Sequence, residues 1–382
     1  MAASAFFFLL GFGFSCWATR ISDIQLQFGL NDAELGSMLL LIPIGQFFTM
    51  PLSGFLVGKY GSKKVLALAG VVYPLSLIFL GLAAQIWQLY IGLFFFGVGG
   101  NLCNISMNTQ AVAVEKYYGR SIMATFHGIW SLAGFAGTAL SIFIVNELKL
   151  SPFEHFCLLG AAATFTLAFM RPFLVENDAE KPKPPRKTPF SLSAVKLDKY
   201  IVTLGFIAFC CMACEGTMFD WSVIYFRDVV RAPQDMIRYG FVAFLCCMAT
   251  GRFTADKLVT KFGHIAVVMA SGMLIVSGLS IAVVFPKIAA GMAGFALVGF
   301  GVSSVVPICY SLAGRSRTMS TGKALTGVTS IGFLGFLLGP PVIGYISNAF
   351  GLRWSFALIA LVGVNAVYLA PKLGKFSESS EN

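Results

Sequence analysis

The sequence predicts an all-α membrane protein of twelve transmembrane helices, arranged as two repeated six-helix bundles. Three observations predict this fold. Hydrophobic residues make up 57% of the 382 residues and charged residues only 12%, whereas a soluble domain carries about a quarter charged residues. Twelve apolar runs follow one another along the chain, and short motifs recur between its two halves.

The apolar runs are separated by short polar breaks, and each is close to the about 20 residues that cross a bilayer core. They lie near 3–20, 33–57, 63–84, 87–111, 121–146, 152–172, 199–222, 234–258, 264–285, 287–313, 322–346 and 352–371. Residues 176–187 read ENDAEKPKPPRK, a charged, proline-rich composition typical of a solvated linker. We therefore predict one bundle at 1–172, a linker at 173–198 and a second bundle with a short tail at 199–382.

Matching residues 202 positions apart indicate that the halves are parallel repeats. Lys59-Tyr60-Gly61 recurs as Lys261-Phe262-Gly263, and three glycines of the fourth run reappear in the tenth. Six helices return the chain to the side of the membrane from which it started, so both halves share one orientation. Many secondary transporters have this architecture, with a substrate site near the membrane midplane where the halves meet.

The positions of lysine and arginine predict the orientation in a bacterial inner membrane. With the N-terminus in the cytoplasm, 20 of these residues fall in cytoplasmic segments and 7 in outer segments. Because cytoplasmic loops carry the excess of positive charge, both termini are expected inside. The same bias accounts for the net charge of +10 without a nucleic-acid partner.

Other function classes lack their sequence signatures. The nine cysteines lie in apolar runs, without the second Cys or His pair that a zinc site needs. The chain contains no phosphate-binding loop of the form Gly-x-x-x-x-Gly-Lys-Ser/Thr, which argues against direct use of ATP. We expect no enzymatic activity, metal or cofactor. The expected partners are a small-molecule substrate, protons and the lipid bilayer, with the protein a monomer.

Residues 54–64, GFLVGKYGSKK, are similar to the loop signature of the major facilitator superfamily. The family has an aspartate where this chain has Gly58, and Thr260 stands there in the second copy, so the acidic lock of the family's cytoplasmic gate is not expected. Four stretches resemble the fucose-permease-like branch and related uncharacterised bacterial permeases: SCWATR at 15–20, FHGIWS at 126–131, EGTMFDW at 215–221 and GFLLGPP at 335–341. The resemblance implies proton-coupled transport by alternating access.

Ionisable residues inside the runs are candidates for function because burying them in a bilayer is costly. Glu215, about 16 residues into the seventh run and in the outer part of the bilayer, is predicted to carry the coupled proton. A permanent ion pair that only fixes helix packing is the alternative. Arg20 ends the first run, with Asp23 one turn beyond. It is predicted to pair with Glu215 or Asp220 at an outer gate, or merely to reach the interface.

A second group of charges is assigned to the inner gate. Arg252 and Asp256 are four residues apart near the inner end of the eighth run, a spacing that favours an intrahelical pair. The loop lysines Lys59, Lys63 and Lys64 belong to the same gate.

The fourth run carries a polar face. Asn101, Asn104 and Asn108 share one stripe of a helix, Gln110 follows, and Gln46 in the second run is a weaker member of the set. Neutral amides suit a polyhydroxylated ligand, although hydrogen bonds between helices are the alternative.

One histidine and three tryptophans complete the predicted site. His127, one helical face from Trp130, is a candidate for proton relay and for hydrogen bonding to a sugar hydroxyl, or is simply a helix contact. Trp17, Trp130 and Trp221 lie at or near the ends of their runs, where an indole can stack on a sugar or sit at the membrane interface.

The leading hypothesis is therefore a secondary transporter that imports a small neutral solute, a sugar or polyol, by proton symport. A proton-coupled exporter of drugs or metabolites is the first alternative. The fifth run lacks the proline of the Gly-Pro signature that such exporters carry, since it reads SLAGFAG at 131–137. A membrane receptor is the second alternative.

Overall fold

The computed structural model describes residues 1–118, 122–176, 198–314, 316, 319 and 321–378, which form helices and short connecting segments with no strand among them. Their α-helices are α1 Ala2–Phe28, α2 Asp32–Leu39, α3 Leu41–Tyr60, α4 Ser62–Gly81, α5 Ile86–Tyr118, α6 Met123–Asn146, α7 Pro152–Met170, α8 Lys199–Asp228, α9 Tyr239–Phe262, α10 His264–Val284, α11 Ile288–Gly314, α12 Thr321–Phe350 and α13 Leu352–Glu378. A short 3-10 turn, Arg171–Phe173, follows α7. Most of the predicted linker, 177–197, lies outside the described residues.

Eleven helical segments of the described chain are long and apolar enough to cross a membrane. Asp32–Tyr60 counts as one of them because α3 follows α2 directly. The remaining long helix, α9, has 24 residues but also the charged residues Arg252, Asp256, Lys257 and Lys261. The predicted all-α membrane fold is confirmed, with α9 as its most polar span.

Several helices extend beyond the apolar runs from which we predicted them. The first run ends at 20 and the seventh at 222, whereas α1 continues to Phe28 and α8 to Asp228. Polar side chains do not interrupt backbone hydrogen bonds from one turn to the next, so an apolar run underestimates its helix. Arg20 and Asp220, which we placed at or near helix ends, therefore lie inside their helices.

The chain divides into two compact units. The first comprises Met1–Leu30 and Met38–Phe190, and the second comprises Asn31–Ser37 and Ser191–Asn382. Each unit therefore contains helices from one half of the chain. The exception is the beginning of α2, which belongs with the second unit.

The beginning of α2 packs against α12 within the second unit. The Ser347 hydroxyl donates a hydrogen bond to the Asp32 carboxylate, and Gly36 lies against the backbone of Pro340 and Gly344. The Ser37 hydroxyl is 3.2 Å from that of Tyr345. Small residues on both helices permit this close approach.

The same backbone contacts recur in the two units at the predicted offset of 202 residues. In the first unit Gly97 of α5 lies against the carbonyl oxygen of Ile42 in α3. In the second unit Gly299 of α11 lies against the carbonyl oxygen of Phe244 in α9. A side chain at either glycine would collide with backbone, so the repeat is conserved in packing as well as in sequence.

The matching loop motifs also have matching backbone geometry. Gly61 between α3 and α4 has φ 82° and ψ 149°, and Gly263 between α9 and α10 has φ 80° and ψ 159°. Both φ values lie in the range that favours glycine. The two reversals of the chain are therefore built in the same way, which confirms the parallel repeat.

Candidate functional site

Glu215 and Arg252 form an ion pair between α8 and α9 in the second unit. The Arg252 Nη2 atom lies 3.2 Å from Glu215 Oε1, and Glu215 is 7% exposed. Glu215 is the 17th of 30 residues in α8, and Arg252 is the 14th of 24 in α9. Both residues therefore lie near the middle of their helices, which extend past the run ends at 222 and 258. The predicted depths, Glu215 in the outer part of the bilayer and Arg252 near the inner end of its run, stay predictions.

Each partner of this ion pair stabilises the charged form of the other. Removing one partner of a buried ion pair leaves an uncompensated charge, at a cost of about 3–5 kcal/mol. A proton on the Glu215 carboxylate would neutralise it and remove the charge–charge attraction to Arg252. The arrangement can thus convert proton binding into loss of the ion pair between α8 and α9.

Tyr310 of α11 lies close to this ion pair. It is hydrogen-bonded to Thr329 of α12 and is near enough to Glu215 for an electrostatic interaction. Sequence reasoning missed Tyr310 because a single tyrosine in an apolar helix is unremarkable. The repeat could have found it, because Tyr310 is 202 residues after Asn108 and so occupies the equivalent position.

Asp220 is a second carboxylate within α8. It is half-buried, and among the described residues no hydrogen bond or ion pair to its carboxylate is found. It is the 22nd of the 30 residues of α8. Glu215 is therefore not the only carboxylate well inside this helix.

Arg20 is engaged by three groups of the first unit. Its Nη1 lies 2.9 Å from Asp23 Oδ2, and its Nη2 donates to the carbonyl of Leu150 at 2.7 Å. Its Nε donates to His155 Nδ1 at 3.2 Å, and the side chain is 3% exposed. The structure thus assigns Arg20 a role in joining α1 to α7, and its predicted pairing at an outer gate stays a prediction.

His155 is a buried histidine that sequence reasoning passed over. It is 1% exposed and stacks on Phe156 with ring centroids 5.8 Å apart. Because its Nδ1 accepts the Arg20 hydrogen bond, that nitrogen carries no proton. Its position in an apolar run was the available signal, since the chain has only three histidines.

Two of the predicted α5 amides offer polar surface. The Asn108 side chain donates to Asn104 Oδ1 at 2.7 Å, and Asn104 is exposed while Asn108 is half-buried. Asn101 is buried and accepts a hydrogen bond from Ser53 of α3 at 2.7 Å. Gln46, half-buried on α3, lies beside Gly100. Asn104 and Asn108 are thus more accessible than Asn101, and their predicted contact with a substrate stays a prediction.

Gln110 has structural partners instead. It is fully buried, and its Nε2 donates to Ser62 Oγ and to the Val175 carbonyl, both at 2.8 Å. Its Oε1 accepts from the Val175 backbone N–H at 2.9 Å. The amide therefore fixes the segment after α7 to the start of α4, which disagrees with a role as a substrate ligand.

The predicted aromatic residues occupy two different environments. Trp17 and Trp221 are fully buried, and they lie inside α1 and α8 because these helices continue beyond the run ends near which we placed them. Trp130 is half-buried on α6, 6.5 Å from the ring of Phe14. His127 is exposed one turn earlier and makes an edge contact with Phe7 at 5.6 Å.

Four of the residues assigned to the inner gate lie near the surface, whereas Arg252 is in the ion pair with Glu215. Lys59 Nζ is 5.2 Å from the Tyr60 ring centre, and Lys63 is 3.1 Å from Glu176. Lys64 and Asp256 are exposed. Exposed pairs contribute about 0–1 kcal/mol each, so these contacts have small effects on stability. Within the described residues no group of three or more His, Cys, Asp or Glu side chains could hold a metal ion.

Curated relatives are similar to the chain over nearly its whole length. An uncharacterised MFS-type transporter from Yersinia pestis is 32% identical, covering 93% of this chain and 91% of the relative. An uncharacterised transporter from Sinorhizobium fredii is 30% identical, covering 97% of each. A probable nitrate transporter, NarT of Staphylococcus haemolyticus, is 24% identical, covering 93% of this chain and 91% of the relative.

Solved structures have the same fold. A D-xylose-proton symporter superposes with a TM-score of 0.75 and 16% identity, covering 98% of this chain and 96% of that one. The transporter FucP in an outward conformation gives a TM-score of 0.64 and 16% identity, covering 97% of each. The family model of the Major Facilitator Superfamily matches residues 2–316 and 231–377. The chain therefore belongs to the Major Facilitator Superfamily, as a multi-pass membrane transporter.

Proposed function

We propose that this transporter imports a small neutral polar solute, a sugar or polyol, together with protons by alternating access. The single observation that carries the proposal is the Glu215–Arg252 ion pair in the middle of two membrane helices. An ionisable pair at that depth is costly unless it serves the transport cycle or helix packing. Both termini are proposed to lie in the cytoplasm, as the distribution of lysine and arginine indicates.

Glu215 would act as the proton carrier through its partner. In the ionised state it is compensated by Arg252, and in the protonated state this ion pair is lost. The two states favour different packing of α8 against α9, because the attraction between the helices is present in only one of them. Proton binding would thus bias a conformational equilibrium, as coupled transport requires.

The solute class is proposed from neutral groups. Asn104 and Asn108 present amide donors and acceptors on α5, and Trp130 and His127 add a ring face and a titratable nitrogen on α6. Amides and an indole suit hydroxyl groups and the apolar face of a sugar ring. Gln110, Trp17 and Trp221 are left out of the proposed ligand set because the structure buries them.

The test is transport by purified protein in proteoliposomes that contain a pH-sensitive dye. The solutes to be tested are D-xylose, L-fucose and uridine, each added with an inward proton gradient. We expect at least one of them to accumulate and to acidify the lumen. Glu215→Gln should keep exchange of that solute but lose accumulation, whereas Glu147→Gln, at the exposed end of α6, should behave as wild type. Full accumulation by Glu215→Gln would contradict the proposal.

Transport of a small anion is a second candidate, which Arg252 favours. The Arg252 guanidinium is a strong ligand for carboxylate or nitrate once Glu215 is protonated and no longer competes as an anion, and NarT is among the relatives. Nitrate is therefore included in the same assay. Accumulation of nitrate without any response to the three neutral solutes would replace the first candidate with the second.

A further inference from the structure

We propose that Asp220 is a proton-binding site separate from the Glu215–Arg252 pair. In its neutral form, the Asp220 acid would donate a hydrogen bond to the Phe336 carbonyl, next to the Pro340-Pro341 step of α12. This goes beyond the proposed function, which assigns the coupled proton to Glu215. Three observations carry it: the environment of Asp220, the packing of α8 on α12, and the sequence of α12.

The first observation is that Asp220 has no partner among the described residues, although it lies inside a membrane helix and is half-buried. An ionised carboxylate in such a position is costly without a counterion. Glu215, one and a half turns earlier, has Arg252 as its counterion. The two carboxylates of α8 therefore differ in what stabilises their charge, and the neutral acid is favoured at Asp220.

Several titratable groups on the helices around α8 have partners other than Asp220. These pairs are Arg252 of α9 with Glu215, Tyr310 of α11 with Thr329, Asp32 of α2 with Ser347, Tyr345 of α12 with Ser37, and Arg353 of α13 with the Val283 carbonyl. The remaining charged residues of α9, Asp256, Lys257 and Lys261, lie C-terminal to Arg252. The side chain of Lys323 on α12 lies outside the described residues.

The second observation is the packing of α8 on α12 beside Asp220. Gly216, one turn earlier on the same side of α8, lies against Phe336 of α12. Because helical side chains tilt towards the N-terminus of their helix, we infer that the Asp220 side chain extends back over Gly216, towards the turn of α12 that begins at Phe336. Gly339 in that turn is buried, yet an added Cβ would meet no atom within 4 Å, so there is room beside it.

The third observation is that Pro340 has no N–H group. In a regular helix residue 340 would donate to the carbonyl of residue 336, but proline cannot, so the Phe336 carbonyl lacks this partner. Helix carbonyls point towards the C-terminus, which directs this oxygen into the same turn. A protonated Asp220 supplies the missing donor, whereas an ionised Asp220 would repel the oxygen. Protonation would thus alter the α8–α12 contact at the proline step.

The test is infrared difference spectroscopy of the purified full-length protein, with the proton itself as the ligand. The carbonyl stretch of a protonated carboxylic acid is separated from the bands of carboxylates and amides. We expect such a band in the wild type near neutral pH, and we expect Asp220→Asn to lose it. Glu215→Gln should retain the band, as should Asp228→Asn, a matched control at the exposed end of the same helix where Asp228 pairs with Arg227.

Two further variants keep the test decisive. Asp220→Glu should retain a band at a changed frequency even if Asp220→Asn folds poorly. Pro340→Ala, which supplies an N–H for the Phe336 carbonyl, should also change the frequency of the Asp220 band. A band that persists unchanged in Asp220→Asn, or that disappears in Glu215→Gln instead, would overturn the proposal. Since the measurement needs no transported solute, its failure is distinct from failure of the proposed function.

Discussion

The two repeated units share their packing but differ in the polar groups that they hold. Gly97 and Gly299 make the same contact with a neighbouring carbonyl 202 residues apart. Positions 108 and 310 are also 202 residues apart, but the first unit has the amide Asn108 there and the second has the phenol Tyr310. The packing contacts are alike in the two units, whereas the polar residues differ. This indicates that the shared glycines maintain the fold and that the polar residues serve the function.

The charged groups differ between the units in the same way. In the first unit Arg20 is bound by Asp23, His155 and a carbonyl, so its guanidinium has several partners. In the second unit the Arg252 guanidinium contacts Glu215, whose side chain is 9% exposed, whereas the side chain of Asp23 is 18% exposed. Neutralising the more deeply buried carboxylate changes the local charge balance more strongly. We therefore expect the second unit to respond more strongly to protons.

Replacing Arg252 should have the largest effect on stability. A small effect would contradict the proposed difference between the two units. Arg252→Leu leaves Glu215 buried without its counterion, at an expected cost of about 3–5 kcal/mol in stability. The double variant Arg252→Leu with Glu215→Leu should recover most of that loss, because no charge remains buried. Thermal unfolding of the detergent-solubilised protein measures the stability of both variants. Equal stabilities of the single and the double variant would show that the buried Glu215 charge does not depend on Arg252.

Alanine at the two equivalent glycines should have the next largest effect, and the same effect in both units. Gly97→Ala and Gly299→Ala each force a Cβ against a backbone carbonyl. Such overpacking typically lowers the free energy of unfolding by about 1–3 kcal/mol. Gly54→Ala is the control, because nothing lies within 4 Å of its added Cβ. Thermal unfolding measures all three. A clear difference between Gly97→Ala and Gly299→Ala would show that the packing has diverged as well.

Replacing the amides of α5 should have the smallest effects on stability and transport. These variants distinguish an amide that fixes the structure from one that binds the substrate. Asn108→Ala should raise the KM of a transported sugar about tenfold, the equivalent of one lost hydrogen bond, with little change in stability. Gln110→Ala should instead lower stability by about 1–2 kcal/mol, since it removes the contacts to Ser62 and Val175, and leave KM unchanged. Transport kinetics and thermal unfolding together separate the two outcomes; the reverse pattern would exchange their roles.

Composition and periodicity were sufficient for the fold because their causes are local. An apolar run of membrane length must be a helix, since only a helix satisfies its own backbone in lipid. The 202-residue offset likewise followed from sequence, and the structure repeats it in the paired reversals at Gly61 and Gly263. Helix ends were less predictable, because polarity marks where the apolar environment stops and not where backbone hydrogen bonding stops.

The sequence by itself determined the membrane fold and the repeat that relates its two halves. Only the tertiary structure decided the partner of each polar side chain: Arg252 for Glu215, Val175 for Gln110 and His155 for Arg20. The physical reason is that hydropathy is a property of each segment, whereas a hydrogen bond or ion pair joins atoms far apart in the chain. Its direction and distance depend on how the helices pack.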